Sequence, residues 1–107
     1  MVFPAGILQV PFFKGTYPKF VNYAAIGSVI GHELTHAFDD KGSQLDKDGN
    51  VENWWSDASA ANFARRKQCM IDQYNNYTVS GTNLHTNGLL TLGENIADNG
   101  GFRAAYQ

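Results

Sequence analysis

Three segments of the chain repeat apolar residues at helical intervals, separated by stretches that are polar or rich in turn formers. The first runs from about Asn22 through Ala24, Ile26, Val29, Ile30, His32, Glu33, His36 and Phe38. Asn22 is positioned to cap its start, and Gly42, just past Asp39, offers a left-handed stop. The second runs from Asp57 to about Tyr74, with Ser56 as its cap. There Ala60, Phe63, Lys67, Met70, Ile71 and Tyr74 fall at three- and four-residue steps, a stripe better suited to core than to a binding surface. The third begins near Thr91 and carries Glu94, Asn95, Ala97 and Asp98. Residues 2–20 hold all three prolines and several aromatics and read as irregular or extended structure. Asp46-Lys-Asp-Gly-Asn50 marks a turn within 43–55, which suits a short hairpin or a loop. Residues 75–88 are rich in Asn, Thr and Gly and read as loop. The pattern predicts a mainly α architecture with a short β element.

Composition narrows what such a chain can do. With 107 residues, 43% of them hydrophobic, it has the length of one small domain. Eight basic residues against ten acidic ones give a net charge of −2, and no basic run follows a phosphate backbone, which argues against nucleic acid as a partner. The apolar stretches 2–8 and 23–30 are too short to cross a bilayer and contain Gly or Pro, so no direct membrane contact is expected of this segment. No charged-then-apolar leader with a cleavage site is visible. The apolar start at Val2 and the uncapped final helix lead us to expect a piece of a longer chain.

The chemistry concentrates in His32-Glu33-Leu34-Thr35-His36. On a helix, two imidazoles four residues apart project from one face and can share a metal ion. Glu33 stands beside the first of them, where a carboxylate can take a proton from water without binding the metal. Catalytic zinc takes three protein ligands and leaves a fourth position open. Glu94, 58 residues beyond His36, is a carboxylate on the third helix able to complete the set. Asp98 lies one turn further on the same face and can accept a hydrogen bond from the second nitrogen of a ligand histidine, fixing its tautomer. One zinc ion per chain, held by His32, His36 and Glu94, is the expected cofactor.

Other features carry less. His85 lies in a polar loop without a helical partner and reads as a surface histidine. A calcium loop counted from Asp46 needs Gly at its sixth position and Glu at its twelfth, but finds Val51 and Asp57, so a tight turn is the better reading. Cys69 is the sole cysteine; no internal disulfide is possible, and a buried thiol is the default from composition. Asn76-Tyr77-Thr78 is an N-glycosylation sequon.

Taken with Val2-Phe-Pro-Ala-Gly-Ile-Leu8, the pairing of His32-Glu-Leu-Thr-His36 with Gly93-Glu-Asn-Ile-Ala-Asp98 resembles the catalytic core of the neprilysin family, which includes neutral endopeptidase and the endothelin-converting enzymes. The resemblance extends over Phe38-Asp-Asp, Asp48-Gly, Trp54-Trp55 and Cys69, essentially the whole chain. It implies zinc ligands at His32, His36 and Glu94, a general base at Glu33, and an outer carboxylate at Asp98 paired with His32. It further implies an apolar substrate pocket lined by Ile7, Phe12 and Val29, which would favour cleavage on the amino side of large hydrophobic residues. It implies peptide substrates, a thermolysin-like fold, and the extracellular face of the plasma membrane or secretion, with any anchor elsewhere. Under the same resemblance Cys69 pairs with a cysteine outside these residues, as suits an oxidising compartment.

The expectation is therefore a partial catalytic domain, residues 1–107, of a zinc metalloendopeptidase. The family's upstream segment that holds the substrate backbone, and its later histidine and arginine, are not among these residues. The 107 residues alone are accordingly expected to bind zinc weakly and to cleave little or no peptide. An alternative is a catalytically silent relative serving as a peptide-binding module; the intact Glu33 argues against it. A purely structural zinc site, usually closed by four ligands rich in Cys, fits less well still.

Overall fold

The computed structural model describes all 107 residues and contains three helices: α1 (Lys19–Thr35), α2 (Asp57–Asn75) and α3 (Leu92–Tyr106). Short 3₁₀ turns occur at Ala5–Ile7, His36–Phe38 and Gly42–Gln44. There is no sheet. The short β element expected from sequence is reduced to two isolated antiparallel bridges, Leu45 with Val51 and Thr78 with His85. The first closes the Asp46–Asn50 turn, where Gly49 takes φ +83° and Asp46 Oδ1 accepts from the amides of Asp48 and Asn50, both at 2.8 Å. Those side-chain bonds satisfy the turn locally, so no ladder is propagated.

The start of α1 differs from the expectation. Asn22 is not its cap: the side chain turns back to bond Lys14, accepting from the amide at 3.1 Å and donating to the carbonyl at 2.9 Å. The helix begins three residues earlier, behind Pro18, whose carbonyl accepts from the amides of Val21 and Asn22. Proline fits here because the first amides of a helix lack partners anyway. At the other end Gly42 is not a left-handed stop. The backbone turns extended at Asp39 (ψ −171°), and the Asp39 carboxylate gathers the amides of Lys41 at 2.8 Å and Gly42 at 2.6 Å. Gly42 is required for close approach instead, since a β-carbon there would collide with the His36 carbonyl. Helix α2 starts where the sequence predicts, with Ser56 Oγ accepting from the Ser59 amide at 3.2 Å.

The packing is centred on α1 against α3. Ile26 of α1 and Leu92 and Ala97 of α3 are the buried apolar residues; burying each of the two larger ones contributes on the order of 2 kcal/mol. The two helices meet at glycine. A β-carbon on Gly31 would stand 2.9 Å from Gly101 Cα, and one on Gly101 would stand 2.5 Å from the His32 amide nitrogen. Helix α2 joins less closely, through the Tyr74 hydroxyl, which accepts from Asn99 Nδ2 at 3.1 Å. Its Phe63, Lys67, Met70, Ile71 and Tyr74 are half-buried and none is fully enclosed. Between α1 and α2, Trp54 and Trp55 pin the intervening segment by donating to the carbonyls of Leu45 and Ser43, each at 2.8 Å. Trp55 also stacks on Phe63 with ring centres 5.2 Å apart.

Much of the apolar surface is left open. The radius of gyration is 16.4 Å, against about 13 Å for a compact domain of this length. Phe20, Tyr23, Phe102 and Tyr106 form an exposed flank along α1 and α3. No helix is long and apolar enough to cross a membrane.

Candidate metal centre

His32 lies in the last turn of α1, His36 caps that helix and opens the 3₁₀ turn His36–Phe38, and the first turn of α3 carries Glu94. Their ligand atoms come together: His32 Nε2 lies 2.9 Å from His36 Nε2, and Glu94 Oε2 lies 3.3 Å from the first and 3.6 Å from the second. All three ligand atoms fall within 4.8 Å of one another. The fold thus joins the three residues singled out from sequence as a ligand set. Asp98, one turn beyond Glu94, faces the far side of His32, with Oδ1 2.7 Å from Nδ1.

Sequence reasoning missed Asp39. Its Oδ2 lies 2.8 Å from His36 Nδ1, the counterpart of the Asp98 contact, and the residue is only 6% exposed. Both histidines are therefore held from behind by a carboxylate. The signal was present as Phe38-Asp39-Asp40, three residues past His36, but the chain leaves the helix there and helical spacing does not predict which carboxylate turns inward.

This wiring decides what the centre can accept. A carboxylate beside each Nδ1 calls for a proton on that nitrogen, so the tautomers it imposes leave both Nε2 lone pairs bare. In those neutral tautomers the two lone pairs and a Glu94 oxygen converge as three acceptors. Three acceptors at such spacing repel one another, and a cation relieves the repulsion. Two imidazoles and one carboxylate suit zinc by donor type. Four of the chain's ten carboxylates, Glu33, Asp39, Glu94 and Asp98, surround the histidines, and the one Lys or Arg ion pair, Lys47 with Asp48, lies elsewhere.

The electrostatics follow. The Asp39 hydrogen bond holds the His36 pKa above the ordinary imidazole value; burial opposes this, and the charge on Glu94 reinforces it. Burial pulls the Asp39 carboxyl upward, but hydrogen bonds from the Gly42 amide, His36 and the Lys41 amide outweigh it and hold the group below the usual carboxylate range.

Glu33 is exposed and lines a cavity of about 500 Å³ together with Ser28, Val29, His32, Asp98 and Phe102. Of the three pocket residues expected from the resemblance, Val29 is in this cavity; Ile7 and Phe12 are not among its lining residues. Phe102, which the sequence reading did not single out, forms apolar wall opposite Val29's helix. His85 lies in the 75–88 loop, bridged to Thr78 and outside the centre. Cys69 is exposed, contrary to the buried thiol expected from composition, because it falls on the outer face of α2. Asn76 ends α2 with its side chain donating to the Asp72 carbonyl at 2.8 Å.

The chain is similar to known peptidases over its whole length. Neprilysin-11 of Caenorhabditis elegans is 64% identical over 107 residues, which is 100% of this chain and 13% of that protein. Endothelin-converting enzyme 1 of Homo sapiens is 57% identical over 107 residues, 100% of this chain and 14% of its own length. The zinc metalloprotease ZMP1 of Mycobacterium tuberculosis, solved in complex with an inhibitor, superposes with a TM-score of 0.92 at 45% identity, over 96% of this chain and 16% of that one. The chain thus spans about one seventh of these relatives. The family model for peptidase family M13 matches residues 1–107, and the chain belongs to that family.

Proposed function

We propose that this chain is the metal-holding part of the catalytic domain of a zinc metalloendopeptidase with a thermolysin-like plan. One observation carries the reading: two imidazole nitrogens and a carboxylate oxygen, from segments far apart in sequence, converge within 4.8 Å of one another. His32, His36 and Glu94 would hold the ion, with Asp98 and Asp39 fixing the imidazole tautomers. When bound, zinc supplies Lewis acidity that brings a water pKa down to about 7 and polarises a carbonyl. Glu33 acts as general base. Its carboxylate takes the proton of the attacking water and returns it to the departing amine nitrogen. It is suited to this by its place in the cavity beside His32 and by its exposure.

Peptides are the substrates, and Val29 and Phe102 give the cavity beside Glu33 an apolar wall that favours hydrophobic side chains after the scissile bond. The exposed Cys69 and the sequon at Asn76 support an extracellular or secreted setting, with the thiol paired to a cysteine outside these residues. The reading is tested in the intact protein that carries this chain, using zinc and a fluorogenic peptide with a large hydrophobic residue after the scissile bond. Hydrolysis that is lost on chelation and restored by zinc is the expected result. Zinc-independent hydrolysis, or no hydrolysis by the zinc-loaded protein, would refute it.

A further inference from the structure

We infer that Gly101, which bears no functional group, is a positioning residue for the metal centre: its missing side chain sets how far α3 reaches toward the back of His32. The inference rests on the proposed reading of His32, His36 and Glu94 as metal ligands.

Gly101 lies one turn past Asp98 on α3 and is buried against α1. A methyl group there would stand 2.5 Å from the His32 amide nitrogen and 2.9 Å from its Cα, and it would collide with the Ser28 carbonyl. Every one of these atoms is backbone, and two belong to a proposed ligand, so no rotamer change relieves the contact. Ordinary van der Waals separation begins at 3.4 Å, so α3 would have to retreat by about 0.9 Å. The Asp98 to His32 separation of 2.7 Å would then open to about 3.6 Å, beyond hydrogen-bond range. Glu94, on the same helix, would withdraw with it from separations that already measure 3.3 and 3.6 Å.

Two neighbours distinguish this role from small-residue packing in general. Gly31, across the interface, is milder: a methyl group there would meet Gly101 Cα at 2.9 Å, its carbonyl at 3.0 Å and Ala104 Cβ at 3.1 Å. The retreat it requires is about 0.5 Å, roughly half as large. Gly100 is different in kind, because the three atoms nearest a methyl group there all belong to the side chain of Thr35, with Cγ2 at 2.5 Å and Cβ at 2.9 Å. That obstruction is removed only by trimming Thr35 to glycine, since alanine would keep the Cβ. The contact made by Gly101 is not relieved by trimming any side chain.

The test compares the parent, Gly31→Ala, Gly101→Ala and Gly100→Ala with Thr35→Gly, in the intact protein. Three measurements are made: far-ultraviolet circular dichroism for fold, zinc affinity by chelator competition, and the low-field Nδ1 proton of His32 in metal-free protein. Loss of an outer carboxylate partner costs 10- to 100-fold in metal affinity. Gly101→Ala should therefore keep its helicity, lose 10- to 100-fold in affinity, and lose the low-field proton. Gly31→Ala should fall between it and the parent, and the Gly100/Thr35 pair should match the parent. Equal affinity in folded Gly101→Ala and parent overturns the inference. So does unfolding of both Gly101→Ala and Gly31→Ala, which would make the glycine contact a requirement of folding alone. A parent that binds no zinc removes the functional reading, and the His32 proton then decides the inference by itself.

Discussion

Replacing Asp39 by Asn is the most discriminating change available at the centre. The carboxylate has two separate duties. Oδ1 accepts from the amides of Lys41 and Gly42 at 2.8 and 2.6 Å, and Oδ2 accepts from His36 Nδ1 at 2.8 Å. Asparagine preserves the first duty, because the two backbone donors fix its oxygen in the Oδ1 position. Its NH₂ group then faces His36 Nδ1, two donors meet, and the ring must move its proton to Nε2, the atom needed for the metal. The expected loss is 10- to 100-fold in zinc affinity, or about 1.4–2.7 kcal/mol, and the metal-free protein loses only the pH-dependent support that the Asp39 charge gives His36. Asp39→Ala should add a second cost of about 1 kcal/mol in stability, because it strips two half-buried amides of their acceptor. Zinc affinity by chelator competition and urea melts of the metal-free protein separate the two effects. Parent-like zinc affinity in Asp39→Asn would refute the tautomer argument.

Other changes probe other links. Glu33→Gln in the intact protein should keep zinc content near one per chain while peptide hydrolysis falls by about 10²–10⁴-fold; retained turnover would remove Glu33 as the base. Ser56→Ala should cost about 1 kcal/mol by orphaning the Ser59 amide at the start of α2, read as a lower urea midpoint. The pH response should reverse with metal. Because the His36 pKa is raised above 6.5, that residue stabilises the metal-free protein fully below pH 6.5, and the contribution is lost as pH rises through the elevated pKa. Zinc requires the neutral ring, so affinity should instead increase over that same interval. Thermal melts at pH 6, 7 and 8 with and without zinc check this, and parallel trends in the two series would count against it.

The proposed ligand set was legible because each of its pairs is set by helical periodicity. His32 and His36 share a face by spacing, as do Glu94 and Asp98, and the fold had only to bring two helices together. Asp57–Asn75 was legible from Ser56 for the same local reason. What escaped depends on the path of the chain where periodicity ends. Asp39 acts by leaving the helix and curling back on it, and no spacing rule selects it over Asp40. Asn22 is an equally good cap or staple by composition; the approach of Lys14 made it a staple. Gly42 signalled a turn, but the requirement is close approach to His36 rather than a left-handed backbone. The expected hairpin shrank to a single bridge because Asp46 satisfies its own turn.

The chain's two tryptophans lie side by side in the segment that follows the second histidine, each indole tied to a carbonyl of residues 43–45. Fluorescence from this chain is therefore a local gauge rather than a global one. A shift in emission on adding zinc would report that the strap behind His36 tightens, and the reading requires no label.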